Sequence, residues 1–302
     1  MDERHRRSSH GRVVSNNVIV IADLFLGPDI LGGAELHDNV VIDFLKSKDL
    51  LYEKIRCVDI TPEYIMENIE KKFFICNFAK LTHNPLAMAI LIKNCKYYIY
   101  EHDYKFIPSR NPNIYIDFIV SPKSDMLNLN FYRHAEKVIC LSKLQYDIFL
   151  SNLDFLNSEN TLNVHCSLFS DEQLKTFKEL NSTPKTKKNC IIDSANPNKR
   201  TPDIIKYCQN NDIQYDLISH TDNIEFLKIL SQYEKLYFLP GHPEPTPRIA
   251  VEAKALNCKF VAPKKMIGVA HEDWFHLNGD ELIEEVRNIR ERAFAIYLDL
   301  LS

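Results

Sequence analysis

The segment KLYFLPGHPEPTPRIAVEA, residues 235–253, combines a strand pattern, a loop and a helix start. Four of its first five residues, 236–239, form an apolar run typical of a buried strand, and a loop with one glycine and four prolines follows. Thr246 is a suitable N-cap, and Pro247 suits the first position of a helix. A buried strand followed by a helix is typical of a parallel sheet, in which ligands bind at the carboxyl ends of the strands.

The same alternation extends over the chain in two series separated by the polar segment 181–189, the predicted linker. The first series has predicted strands at 18–22, 55–60, 73–77, 97–100 and 137–141 and helices from about 34 and at 85–93, 143–153 and 171–180. The second has strands at 190–192, 215–218, 235–239 and 259–262 and helices at 202–210, 223–231, 247–256 and from about 278. The predicted fold class is therefore α/β, with two Rossmann-like doubly wound domains, 13–180 and 188–302, that face a cleft.

Composition and charge exclude several classes of protein. The 302 residues contain 37 Lys and Arg against 41 Asp and Glu, so the formal net charge of −4 excludes a broadly basic nucleic-acid coat. The eight cysteines include no Cys-x-x-Cys pair and mostly lie in apolar runs, so we expect buried reduced thiols and a cytoplasmic location. We expect neither a secretory signal nor a transmembrane segment, and the basic residues 4–7 leave peripheral membrane contact open.

Glycine is scarce, so its positions are informative. The chain has seven glycines, of which three fall within 27–33 and none between 34 and 240. Gly32 and Gly33 directly precede the helix that follows the first strand, where a ligand phosphate could approach the backbone. The alternative for this pair is a tight strand-to-helix turn without a ligand.

The loop and helix at 240–253 carry the stronger signal. The free N–H groups and positive dipole end of this helix favour an anion such as a diphosphate. Glu252 lies on the second turn, on the same face as Arg248, and its carboxylate can accept hydrogen bonds from the two vicinal hydroxyls of a ribose. The alternative, a solvated surface glutamate, is weakened because Val251 and Ala253 flank Glu252 in an apolar helix.

These residues resemble a known enzyme family. Glu244 and Glu252, eight positions apart and followed by Ala253, are similar to the Glu-x7-Glu motif of family 4 glycosyltransferases, which have the GT-B fold. GGAE at 32–35 resembles the first-loop motif of that family, and YIYEHD at 98–103 resembles the strand that delivers a histidine to its site. VICLSK at 138–143 is similar to its strand-and-serine segment, so the resemblance covers most of residues 18–275 in order.

The resemblance implies a retaining, metal-independent transferase that needs no cofactor besides its nucleoside-diphosphate sugar. The N-terminal domain would be the acceptor side and the C-terminal domain the nucleotide-sugar side. By carry-over, Glu252 would hold the ribose, while His102 and Glu244, the implied catalytic residues, would face the donor sugar. The other donor-binding residues would be Gly32, Gly33, Lys199, Arg200, Thr246 and Arg248, with Lys199 beside the diphosphate. The acceptor stays open among a glycan, a lipid-linked sugar, a protein and a modified nucleic acid.

The sequence departs from the family pattern at two places. Ser194 stands where the family has an arginine five residues before Lys199, and Arg200 or Arg248 is the candidate substitute. Pro245 and Pro247 remove two N–H groups from a loop that donates them in the family.

These departures keep other functions open. One alternative is a catalytically silent module that binds a sugar nucleotide or a glycan, and another is an epimerase on the same scaffold. The sequence Glu101-His102-Asp103 raises a third, a metal-dependent transferase or hydrolase in which His102 and Asp103 are ligands, with His271-Glu272-Asp273 as a second acidic cluster.

Overall fold

The computed structural model describes residues 16–27, 32–219 and 223–301. The loop residue Pro28 and the basic residues 4–7, which left membrane contact open, lie outside these ranges. The described residues form two parallel sheets with helices packed on them, which confirms the predicted α/β fold class.

The first sheet has six parallel strands in the order β2-β1-β3-β4-β5-β6. Its strands are β1 (Val18–Ala22), β2 (Leu51–Arg56), β3 (Lys72–Ile75), β4 (Lys96–Tyr100), β5 (Lys137–Cys140) and β6 (Thr161–Asn163). The helices within this part of the chain are α1 (Gly33–Ser47), α2 (Pro62–Glu67), α3 (Pro85–Asn94), α4 (Leu129–Arg133) and α5 (Lys143–Asn152). Every residue of β1 is fully buried, because a parallel strand with neighbours on both edges and helices on its faces has no contact with solvent. We call this sheet and its covering helices the first lobe.

The second sheet has four parallel strands in the order β10-β9-β7-β8. Its strands are β7 (Lys187–Asp193), β8 (Asp216–Ser219), β9 (Tyr233–Tyr237) and β10 (Lys259–Val261). The helices along this part of the chain are α6 (Asp171–Leu180), α7 (Thr201–Asn210), α8 (Asn223–Leu230), α9 (Arg248–Ala255) and α10 (Gly279–Leu301). We call this sheet and its covering helices the second lobe.

Two helices, α6 and the last part of α10, pack against the lobe other than the one to which the predicted domain division assigns them. Leu174 and Phe177 of α6 belong to the core of the second lobe. The last turns of α10 belong to the core of the first lobe, where Phe294 stacks on Phe44 with ring centroids 4.0 Å apart. The domain ranges 13–180 and 188–302 stay predictions, but the packing places these two elements across that division.

The cysteines and the membrane prediction can be compared with the described residues. All eight cysteines are free thiols; Cys95 is half-buried and the other seven are buried, as expected from their apolar neighbours. In the part of the chain that the structure describes, no helix combines the length and the apolar character that a bilayer crossing requires.

Candidate functional site

A cavity of about 400 Å³ lies between the two lobes, where the carboxyl ends of β4 and β9 face each other. Seven predicted site residues line it: Gly33, His102, Lys199, Glu244, Thr246, Arg248 and Glu252. The volume falls within the range of small-molecule sites. The fold therefore brings together residues that are distant in the sequence, from Gly33 on α1 to Glu252 on α9.

Glu252 lies in the wall of this cavity and is only 4% exposed. Its Oε1 lies 3.8 Å from Nε of Arg248, one turn earlier on α9. Removing a carboxylate from water costs free energy unless polar groups compensate it. A carboxylate held in a cavity wall is well placed to accept hydrogen bonds from ligand hydroxyl groups.

The start of α9 differs from the prediction. The helix begins at Arg248, with Pro247 at the N-cap and no side-chain capping bond. Thr246, the predicted N-cap, instead donates its hydroxyl to the carbonyl oxygen of Leu141 at 3.1 Å, so that prediction is wrong. The hydroxyl connects the two lobes, and the N-cap residue Pro247, which lines the cavity, gives no side-chain hydrogen bond to the first N–H groups of α9.

Arg248 is buried, and its guanidinium is bound within the protein. Its Nη1 donates to Ser167 Oγ at 3.1 Å and to the Leu168 carbonyl at 2.6 Å. Its Nη2 donates to Gln173 Oε1 at 3.0 Å, and the group lies over the Phe169 ring at 3.9 Å. Burial lowers the pKa of Arg248. These contacts favour a structural role, in which Arg248 holds α9 against the segment between the lobes that contains Ser167 and Leu168. The predicted donor-binding role of Arg248 stays a prediction.

The glycine pair at the start of α1 permits a close approach between elements. A Cβ atom on Gly33 would lie 3.2 Å from Cδ of Arg248, and one on Gly32 would collide with the Glu35 carboxylate. Gly33 also lines the cavity, whereas Gly32 is not among its lining residues. Gly33 therefore lies in close contact with Arg248 of α9, whereas the flexible end of the Glu35 side chain can move away from Gly32. Phosphate binding by this pair and its alternative, a tight strand-to-helix turn, both stay predictions.

Lys199 and Glu244 form an ion pair at the cavity. Nζ of Lys199 lies 2.8 Å from Oε1 and 3.0 Å from Oε2 of Glu244, and it also lies over the Phe238 ring at 5.2 Å. The backbone of Glu244 is fixed, because its N–H donates to Met266 and its carbonyl accepts from Gly268. The two groups predicted to bind the diphosphate and the sugar are thus adjacent.

Arg200 lies outside the main cavity. Its Nε pairs with Asp203 Oδ2 at 2.6 Å, and its aliphatic part lies beside Gly241. It lines a neighbouring cavity of about 540 Å³, which shares Asn198 and His242 with the main one. Arg200 therefore does not line the main cavity in this structure, and both its predicted donor-binding role and its role as a substitute for the arginine missing at Ser194 stay predictions.

His102 follows β4 and lines the cavity with a partner that the sequence analysis missed. Its Nε2 lies 2.7 Å from Oδ1 of Asp38 on α1, and the two side chains are 9% and 2% exposed. Burial lowers the pKa of His102, but the charge and hydrogen bond of Asp38 outweigh it, so the pKa lies above its usual value. Asp38 shares a helix face with the buried residues Val41 and Leu45, and a carboxylate on that apolar face was the available signal.

The possible metal ligands at 101–103 have other partners. Glu101 Oε1 and Asp103 Oδ1 both accept hydrogen bonds from Nζ of the buried Lys105, at 2.6 and 2.8 Å. His102 pairs with Asp38 instead. No group of three or more acidic, histidine or cysteine side chains with ligand geometry occurs within 16–27, 32–219 and 223–301. The contacts of these side chains therefore do not favour the metal-dependent alternative.

Comparison with known proteins gives similarity at the level of the fold. No protein family model and no curated protein matches the sequence. The structure is similar to HepE of Anabaena in complex with UDP and glucose, with 14% identity, 91% of this chain and 89% of that chain covered, and a TM-score of 0.51. It is also similar to sucrose-phosphate synthase from Thermosynechococcus elongatus, with 11% identity, coverage of 94% and 97%, and a TM-score of 0.56.

A third similar structure is the lipopolysaccharide outer core galactosyltransferase WaaB in its apo form. It shares 9% identity and a TM-score of 0.57, and the alignment covers 93% of this chain and 99% of that one. The chain therefore has the GT-B fold of glycosyltransferases, over nearly the whole length of each of these proteins.

Proposed function

We propose that the protein is a glycosyltransferase that takes its sugar from a nucleoside-diphosphate sugar and transfers it with retention, without a metal ion. The observation that carries the proposal is the buried carboxylate of Glu252 in the wall of the cavity between the lobes. A nearly buried glutamate beside an uncapped helix N-terminus supplies acceptors for ribose hydroxyls next to donors for a diphosphate.

The proposed roles divide along the cavity. The N-terminus of α9 and the Lys199 ammonium would stabilise the negative charge that develops on the departing diphosphate, the task that a metal ion performs in other transferases. Glu244 and His102 would bind the donor sugar from the second and first lobes respectively. Enclosure between the lobes would exclude water and favour transfer over hydrolysis.

The nucleotide to test first is UDP. The structurally similar HepE was solved with UDP and glucose, and this motivates UDP and UDP-glucose as initial ligands. Binding is measured as the rise in melting temperature, because a ligand that binds only the folded state stabilises it by mass action.

The variant Glu252→Ala tests whether the buried carboxylate of Glu252 binds the nucleotide. We expect wild-type protein to show a UDP-dependent rise in melting temperature that excess EDTA leaves unchanged. Glu252→Ala should lose most of that rise, because a hydrogen bond to a charged group typically contributes about 1.5–3 kcal/mol. Isothermal titration calorimetry then compares the affinities of the two proteins directly.

Glu284→Ala is the matched control, because Glu284 is an exposed glutamate on α10 that pairs with Arg287. It should retain the full ligand-dependent shift. A shift that survives in Glu252→Ala, across UDP and the other nucleoside diphosphates, contradicts the proposed ribose site. Binding without turnover on a panel of acceptors would instead favour the silent binding module.

A further inference from the structure

The Asp38 and His102 side chains form a buried dyad on the first-lobe wall of the cavity. The 2.7 Å contact joins Oδ1 of Asp38 to Nε2 of His102. The rings of Tyr100 and His37 lie 5.6 Å and 5.2 Å from the His102 ring. The histidine is therefore fixed by a carboxylate on one edge and by rings beside it.

The carboxylate determines which ring nitrogen is available to a ligand. A carboxylate oxygen can only accept, so Nε2 of His102 carries the proton in this contact. Nδ1 then becomes the free nitrogen of the ring. Within 16–27, 32–219 and 223–301, Nδ1 has no hydrogen-bond partner, and it is not among the fully buried polar atoms. Since His102 lines the cavity, Nδ1 is the atom that a ligand in the cavity can reach.

The neighbouring histidine supports this assignment. Nδ1 of His37 accepts the Leu168 backbone N–H at 2.8 Å, so His37 carries its proton on Nε2 and is neutral. Burial, the charge of His102 and that of Arg248 lower the pKa of His37 well below its usual value. Because His37 is neutral, it does not repel a positive charge on the His102 ring.

The other charged groups around His102 have opposing signs. On α1, Asp38 and Glu35 favour the cation. On its own segment, Lys105 disfavours the cation and Glu101 favours it. The pKa of His102 lies above its usual value because the Asp38 contact is strong enough to overcome burial, and a protonated Nδ1 is a charge-assisted donor.

We propose that Asp38 is a positioning residue: it holds a proton on Nε2 of His102 and turns Nδ1 toward the cavity, where Nδ1 forms a hydrogen bond with a hydroxyl group of the bound sugar moiety. The role toward the sugar rests on the function proposed above, whereas the state of the dyad does not. Asp38 touches no ligand, and it acts only through the orientation and protonation of His102.

The first test is nitrogen NMR of wild-type protein labelled with ¹⁵N-histidine, with the His102 signals assigned from a His102→Gln variant. We expect a protonated Nε2 at neutral pH and no exchange between tautomers. This measurement needs no change at Asp38. A neutral ring protonated on Nδ1, with Nε2 bare, overturns the proposal.

The second test compares the affinities for UDP-glucose and UDP in Asp38→Ala by calorimetry. We expect UDP-glucose to bind about tenfold more weakly while UDP is unchanged, since one oriented hydrogen bond to the sugar is lost. His102 should then populate both tautomers. Asp38→Glu keeps a carboxylate and should restore part of the affinity, which a purely structural role would not predict.

Asp43→Ala is the control, because Asp43 is an exposed acid on the same helix; it should match wild type in both tests. Equal weakening of UDP and UDP-glucose in Asp38→Ala overturns the positioning role. If wild-type protein binds neither ligand while the NMR signature holds, the proposed function fails and the dyad stands, so the two failures are distinguishable.

Discussion

At the scale of single residues, two side chains one turn apart on α9 line the same cavity. The Arg248 guanidinium is also bound by Ser167 and Leu168 between the lobes, whereas the Glu252 carboxylate is held in the cavity wall. Lys199 is half-buried at the cavity and already pairs with a carboxylate, that of Glu244. A diphosphate that binds Lys199 must therefore compete with this ion pair.

Because Lys199 and Glu244 have different proposed roles, we expect substitutions at the two positions to change the binding of UDP and UDP-glucose in different ways. Lys199→Met should weaken UDP and UDP-glucose alike by about tenfold, because a charge-assisted contact to the diphosphate is lost from both. Glu244→Gln should leave UDP binding equal or tighter, since Lys199 is released, and should weaken UDP-glucose by about tenfold. Calorimetry with both ligands measures the difference, and Lys206→Ala, an exposed lysine on α7, is the control. Parallel losses in the two variants would contradict separate roles.

At the scale of elements, the sequence pattern locates most of the strands and long helices but misplaces or misses the two edge strands of the first sheet. The helix expected at 171–180 has these bounds in the structure, where Ser170 and Gln173 form a reciprocal capping box. The strand predicted at 55–60 lies instead at Leu51–Arg56, and a 3₁₀ turn follows it. This strand and β6, which was not predicted, are the two edges of the first sheet. Edge strands need no continuous apolar run, so the apolar pattern does not place these two strands, although it does find the edge strands β8 and β10 of the second sheet.

The packing of the end of α10 on the first lobe leads to a prediction about the free energy of unfolding. Tyr297 is fully buried against the first sheet, and its hydroxyl lies 2.8 Å from that of Tyr100. Tyr297→Ala should reduce the free energy of unfolding by about 3–5 kcal/mol, because it opens a cavity in the core and removes this bond. Urea denaturation measures the change. Asp299→Ala, an exposed position on the same helix, should stay within about 0.5 kcal/mol of wild type; a similar small loss in Tyr297→Ala would show that α10 contributes little to the first lobe.

At the scale of the whole molecule, a chain of polar contacts crosses from one lobe to the other. His37 on α1 contacts Ser167 and Leu168 at 3.2 and 2.8 Å, and both residues are held in turn by Arg248 on α9. The residues that form these contacts are 80 to 131 positions apart in the sequence. Sequence patterns report local periodicity, so they predicted the two sheets and the cavity residues but could not reveal this chain or the Asp38 contact.

The buried His37 makes the folding stability depend on pH, and the sign of this dependence follows from the lowered pKa of His37. The unfolded chain binds a proton at this histidine below about pH 6.5, whereas the folded protein does not. Folding stability should therefore fall as the pH drops through this value, by at most about 1.4 kcal/mol per pH unit for this site. His102 acts in the opposite sense, because its pKa is raised: its contribution is complete below about pH 6.5 and is lost as the pH rises through the folded value.

His37→Gln isolates the first of these two contributions, because a glutamine oxygen can still accept the Leu168 N–H but cannot be protonated in this range. Urea denaturation at about pH 7.5 and about pH 5.5 should show a smaller loss of stability for His37→Gln than for wild type. His83→Gln changes an exposed histidine and should follow the wild-type difference. If all three proteins lose the same stability, the unfolded and folded chains titrate alike at position 37, and the lowered pKa of the buried His37 is contradicted.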